Sequence, residues 1–364
     1  MKVKAEKEKI IQILQKVQLA VGVRTTLPVL SNILFKADGG KLSVSGTDLD
    51  LSIRSTMDAK VGAKGGITMP AKRIVSIVRD MPGSELDIEV DEKDAMAIRS
   101  GQSFFKVLGI SEDEFPPLPN MEGGKTYAME QGVLQEMIRN TSYAMASDES
   151  RQVLNGLLLS FRDGKFAVVA TDGRRMALYE HEMAVAKGEE GDYVIPPRAV
   201  SALQGILQTK GSVKIIGKEK MIGFETDDTL IVSKLVEGTY PNYRQVLPSQ
   251  SDLRIVMERE SLLDALHRVS LIFSDLQGSV KLTFENNRLT IVGITTDVGE
   301  AVESMAVKYS GKAITIAFNP QFMMDPLKNL TADEVIMELT DDLSPGVIKA
   351  NLPFAYVLMP VRLN

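Results

Sequence analysis

Apolar residues recur with a helical period at three similar places along the chain. Ile10, Ile13, Leu14 and Val17 fall at i, i+3, i+4 and i+7, so they share one face of a predicted helix. Leu262, Ala265, Leu266 and Val269 repeat that spacing, and Leu134, Met137 and Ile138 give a shorter version of it. Two apolar runs around a polar turn follow each helix, at 32–44, 155–168 and 280–291. Asp38-Gly39, Asp163-Gly164 and Asn286-Asn287 sit at their centres and read as hairpin turns. Each copy then reaches a Thr-Asp pair: Thr47-Asp48, Thr171-Asp172 and Thr296-Asp297, at intervals of 124 and 125 residues.

A second helix is predicted after each of Pro70, Pro196-Pro197 and Asn319-Pro320, because proline is tolerated at a helix start. Its apolar face is Ile74, Ile77, Val78 and Met81 in the first copy, and Val200, Leu203 and Leu207 in the second. Met323, Pro326, Leu327 and Leu330 continue it in the third, where Pro326 is expected to kink or shorten the helix. Segments 109–119 and 237–248 are rich in proline and turn residues, follow final strands at 104–108 and 230–235, and read as linkers. The pattern predicts an α+β chain of three repeated units, 1–122, 123–250 and 251–364, each with two helices packed on antiparallel sheet.

Composition narrows the chemistry. At 364 residues, 44% hydrophobic and 25% charged, the chain is long enough for two or three globular domains. Cysteine is absent, which excludes disulfides, thiolate metal sites and a cysteine nucleophile. His181 and His267 have no partner at metal-ligand spacing, and no Ser-His-Asp or GxSxG pattern occurs. Gly123-Gly124-Lys125-Thr126 ends like a phosphate-binding loop, but Pro119 stands where the first glycine is required. No catalytic residue, metal or cofactor is therefore expected. No apolar run approaches the roughly 18 residues that span a bilayer, and the first residues lack the apolar core of a signal peptide, so a cytoplasmic protein is expected.

The net charge of −6 argues against a generic nucleic-acid binder, but distribution matters more than the sum. Cations recur on the non-core sides of equivalent helices: Lys72, Arg73 and Arg79, then Arg198 and Lys210, then Lys328. Arg24 adds another in the loop after the first helix. These are either solubilising faces or one basic surface. Without interleaved aromatics, such a surface would meet phosphates and would not stack on bases.

Together the three repeats, the segment Ala170-Thr171-Asp172-Gly173-Arg174-Arg175, Tyr240-Pro241-Asn242-Tyr243-Arg244 and the end 356–363 resemble the DNA polymerase III β-subunit family, the bacterial sliding clamps. The resemblance covers the whole chain. It implies three DNA-clamp domains per chain and a head-to-tail homodimer closed into a six-domain ring around double-stranded DNA, bound without regard to sequence. Such a ring is a non-catalytic processivity factor for the replicative polymerase, the clamp loader and repair proteins. The resemblance carries DNA contact to Arg24, Lys72, Arg73, Arg79, Arg198 and Lys210, and to Arg151. It implies a pocket for partner peptides at Leu154, Thr171, Gly173, Arg174, Arg175, Met176, Pro241, Val246, Asn319, Phe322, Met359, Pro360, Val361 and Arg362. Phe105, Leu271 and Ile272 fall at the family's subunit contact. Arg174 stands where well-known members have histidine, Gln245 replaces a pocket arginine and Asn364 extends the usual terminal leucine, departures that bear on peptide preference.

A rival class is an enolpyruvyl transferase-like enzyme, which also repeats small αβ units. It calls for a dense set of Lys and Arg around a Gly-rich anion loop, and usually a reactive cysteine, which this chain lacks.

Overall fold

The computed structural model describes the chain except for residues 23–26, 249–250, 275–277, 296–297 and 363–364. Arg24, the Thr296-Asp297 pair, Leu363 and Asn364 therefore lie outside the described residues. Two compact units are present: residues 1–135 with 195–235, and residues 136–194 with 236–364. Six α-helices are described: α1 Lys7–Gln18, α2 Ala71–Asp80, α3 Gln131–Arg139, α4 Pro197–Ile206, α5 Arg259–Ser270 and α6 Pro320–Asn329.

In the first unit, a five-stranded antiparallel sheet runs in the order Lys60–Ala63, Lys2–Glu6, Glu85–Val90, Ala95–Ser100 and Ser103–Leu108. An eight-stranded sheet joins two half-sheets, one from the first repeat and one from the second. Their junction pairs Thr229–Lys234 with Leu51–Asp58, with Ile231 opposite Ile53. α1 packs against α2 and α4, burying Ile10, Ile13, Leu14 and Val17 as the spacing predicts.

The second unit repeats this construction. Its eight-stranded sheet joins a half from the second repeat to one from the third, where Arg175–Glu182 pairs with Phe354–Leu358 and Met176 lies opposite Val357. A four-stranded sheet runs Gly299–Ala306, Arg288–Thr295, Val280–Glu285 and Ile314–Phe318. α5 packs against α6, and Leu262, Ala265, Leu266 and Val269 are buried.

Turn chemistry sets the three hairpins. Gly39 and Gly40, Asp163 and Gly164, and Asn286 and Asn287 all adopt positive φ, the two-residue turn whose twist matches the flanking strands. In the first hairpin the turn centre is Gly39-Gly40, one residue beyond the Asp38-Gly39 read from the sequence. Each repeat also opens on a strand before its first helix, at Lys2–Glu6, Lys125–Glu130 and Leu253–Glu258.

Pro326 does not shorten its helix. α6 continues through it to Asn329 and has 10 residues, as α2 and α4 do. Proline offers no N–H to the carbonyl four residues back, that of Phe322. The Tyr356 hydroxyl donates to that carbonyl instead, at 2.8 Å.

Candidate functional site

The two Thr-Asp pairs among the described residues, Thr47-Asp48 and Thr171-Asp172, begin one kind of turn. Thr171 Oγ1 donates to the Arg175 carbonyl at 2.6 Å and accepts from Gly173 N, while Asp172 Oδ1 accepts from the backbone nitrogens of Arg174 and Arg175. Thr47 and Asp48 make the same bonds, to the Leu51 carbonyl and from the nitrogens of Leu49, Asp50 and Leu51. The residue after each pair has positive φ, 86° at Gly173 and 77° at Leu49. In the second unit this turn delivers Arg175 to the start of its strand with the side chain directed into the protein.

Arg175 is 10% exposed. Its Nε donates to Asp172 Oδ2 at 3.0 Å, one Nη to Asp325 Oδ2 and the other to the Tyr143 carbonyl at 2.7 Å. The guanidinium lies 4.3 Å from the centre of the Phe322 ring. Burial opposes its charge, but Tyr356 and Asp325 beside it hold its pKa above the usual arginine value. Arg175 thus ties α6 to the 171–175 turn. It is a structural clamp, with three donors already used inside the protein. Asn319 is structural too, its Oδ1 accepting from Phe322 N as the cap of α6.

Around this clamp the remaining pocket candidates separate into a floor and a surface. Met176 and Val357 belong to a buried apolar cluster that Tyr243 completes and against which Tyr240 and Leu247 pack. Leu154 is also buried. Val246, between Tyr243 and Leu247, is 43% exposed. Met359, two residues past Val357, is 45% exposed and Val361 is 41% exposed. The backbone here is pinned by Met359 N donating to the Arg174 carbonyl at 2.9 Å and Val361 N to the Ala317 carbonyl at 2.8 Å. Gly173, Arg174, Pro241 and Arg362 are exposed, whereas Thr171, Phe322 and Pro360 are partly so. Met359 and Val361 are thus exposed apolar residues on a pinned backbone, with exposed Arg174 and Arg362 beside them.

Burial pushes up the hydroxyl pKa values of Tyr143, Tyr240 and Tyr356, and that of Tyr179 to about 12, with Glu136 adding to the last. Raised folded-state values favour the neutral phenol, so their contribution is intact below the unfolded tyrosine pKa near 10 and is lost as pH rises through the folded values. The second unit should lose stability from about pH 10 upward. In an alkaline titration, tyrosinate absorbance from these groups should rise together with loss of circular dichroism. Full ionisation by pH 11 with native dichroism retained would contradict this.

The candidate cations are placed as follows. Lys72, Arg73 and Arg79 are exposed on α2, opposite buried Ile74, Val75 and Val78, and make no ion pair among the described residues. Lys210 is exposed just after α4, Arg151 is exposed within the 3-10 segment Glu149–Asn155 and Lys328 is exposed on α6. Arg198 is exposed on α4 but pairs with Asp48 and donates to the Leu19 carbonyl at 3.4 Å, so part of its charge is already committed.

Two sheet edges carry exposed apolar residues. Edge strand Ser103–Leu108 exposes Phe104 by 54%, Phe105 by 44% and Leu108 by 73%. Edge strand Gly299–Ala306 carries Val302, which is exposed, and exposed Ile294, Val298 and Leu271 belong to the same unit, with Ile272 partly exposed. Long edges with apolar residues are templates for further pairing. The eight-stranded sheets show what such pairing builds.

Three descriptions of one family match consecutive parts of the chain: DNA polymerase III beta subunit, N-terminal domain, at 1–119; central domain at 128–242; and C-terminal domain at 244–362. The chain belongs to the DNA polymerase III β-subunit family. Among its relatives, the beta sliding clamp of Chlamydia pneumoniae is 34% identical over 97% of this chain and 96% of its own length. The DNA polymerase sliding clamp of Bacillus subtilis superposes with a TM-score of 0.95 at 28% identity, and a sliding clamp from Bartonella birtlesii bound to griselimycin with 0.93 at 33%. Each covers all of both chains. The transferase-like alternative has no support in these matches. No helix among the described residues is long and apolar enough to cross a membrane.

Sequence reading missed Asp325, Tyr143 and Tyr356, the residues that hold Arg175 and α6. The one signal was Pro326, whose missing donor leaves the Phe322 carbonyl to Tyr356; nothing local marks Asp325 or Tyr143.

Proposed function

We propose that two copies of this chain close head to tail into a ring around duplex DNA in the cytoplasm, as a non-catalytic processivity factor that tethers the replicative polymerase and other partners. The observation that carries this reading is the pair of open sheet edges, Ser103–Leu108 in one unit and Gly299–Ala306 in the other. Joining an edge of one copy to the other edge of a second would make a third continuous sheet of the kind each unit already contains, and a twofold head-to-tail arrangement pairs both of these edges in each copy. Phe105, Leu271 and Ile272 would lie at that contact. The free cations of α2, with Lys210, Arg151 and Arg198, would face phosphates, giving weak, salt-sensitive contacts that allow sliding. Partner peptides would dock on Val246, Met359 and Val361, with Pro241, Arg174 and Arg362 at the rim.

The test is topological. The protein, loaded on closed circular duplex, should stay bound through gel filtration at high salt and should be lost when the circle is cut once. Equal retention on circular and linear DNA would overturn encirclement.

A further inference from the structure

We infer that Tyr356 is a positioning residue of the partner pocket, acting through the backbone of Phe322, and that Pro326 is the reason the chain needs it. The inference rests on the pocket proposed above and deepens it. Within α6, Pro326 cannot donate to the Phe322 carbonyl, so that acceptor would be orphaned inside the protein. Tyr356 is fully buried, and its hydroxyl reaches across from strand Phe354–Leu358 to donate to this carbonyl at 2.8 Å. Phe322 is thereby held twice, by Tyr356 at its backbone and by the Arg175 guanidinium 4.3 Å from its ring centre.

The two supports come from neighbouring strands. Arg175 and Leu358 are register partners, and Tyr356 faces Ala177 on the same pair. Asp325, next to Pro326, takes both Arg175 and the Gln321 side chain. The face of α6 bearing Phe322 is therefore set by the strands that carry Met176 and lead into Met359. The Phe322 ring is partly exposed, so its placement shapes the surface a ligand meets. Tyr356 itself is buried and touches no ligand.

This arrangement gives a rescue test, because Pro326→Ala restores the missing N–H. The probe is griselimycin, the ligand of the Bartonella birtlesii relative, with binding read by calorimetry on the full chain. Tyr356→Phe keeps the ring and removes the hydroxyl, with its bond to the Phe322 carbonyl and its contact to the Arg175 guanidinium, and it should weaken binding at least about fivefold, the worth of one net hydrogen bond. Adding Pro326→Ala to that variant should recover part of the lost affinity, since the helix then supplies the Phe322 bond itself while the Arg175 contact stays unreplaced. Pro326→Ala alone completes the cycle, and a thermal melt of each variant accompanies it.

An unchanged affinity in Tyr356→Phe would overturn the inference. So would a double variant that binds no better than Tyr356→Phe, or a cycle that shows coupling in melting temperature and none in affinity, because the tyrosine would then serve the fold alone. Failure of the parent chain to bind griselimycin would overturn the pocket itself, and this inference with it.

Discussion

Arg175→Ala should destabilise the second unit by about 3–5 kcal/mol, the cost of removing one partner from a buried ion pair. Arg175 serves Asp172 and Asp325, each 16% exposed, so its loss strands two carboxylates. The damage falls mainly on Asp325. Asp172 keeps two backbone donors, whereas the Asp325 carboxylate keeps the Gln321 side chain. The Tyr143 carbonyl and the Phe322 ring lose their cation as well. Urea unfolding followed by circular dichroism measures the effect. A loss under about 1 kcal/mol, the ordinary value for an exposed ion pair, would show that the clamp reading is wrong. The adjacent Arg174→Ala is the control: Arg174 is exposed, and its loss should change stability by no more than about 0.5 kcal/mol. Two neighbouring arginines in one motif thus differ in kind, and weakened partner binding in Arg175→Ala would report a deformed pocket wall, not a lost contact.

Local patterns made most of the elements legible. The 3.6-residue spacing of Ile10, Ile13, Leu14 and Val17 identifies α1 because burial on one helical face requires it, and the hairpin turns announce themselves through residues that tolerate positive φ. The opening strands were not legible. In Lys2–Glu6 only Val3 and Ala5 face inward, between charged residues, and so short an alternation is a weak signal beside the strong helix that follows. Nor could the sequence reveal that half-sheets from different repeats join, because the pairing of Arg175–Glu182 with Phe354–Leu358 depends on residues far apart in the chain.

The candidate site divides the same way. The resemblance pointed to the surface residues Val246, Met359 and Val361, but it also gave Arg175, Asn319, Leu154 and Met176 as pocket residues without distinguishing their work. The structure assigns Arg175 and Asn319 to holding α6, places Met176 in the buried cluster with Val357 and Tyr243, and buries Leu154. Arg175 and Asp325 are separated by 150 residues, so no local motif could have paired them.

Phe105→Asp and Leu271→Asp should each abolish the dimer at micromolar protein while leaving the fold of the protomer intact. Both residues are exposed in the single chain, by 44% and 72%, so a carboxylate there is solvated until association buries it. A buried, unpaired charge at an interface centre costs at least as much as removing an apolar anchor, about 2–4 kcal/mol, or roughly thirtyfold to a thousandfold in affinity. Mixing the two variants discriminates between geometries. A head-to-tail pair has two contacts, each joining the Phe105 edge of one copy to the Leu271 side of the other. In the mixed dimer one contact unites the two unaltered surfaces and the other unites the two altered ones. Sedimentation should therefore recover an open dimer from the mixture, while closed circular DNA should not retain it. With a self-complementary contact joining Phe105 edges, Leu271→Asp alone would stay dimeric, and a mixture that stays monomeric would rule out the head-to-tail ring.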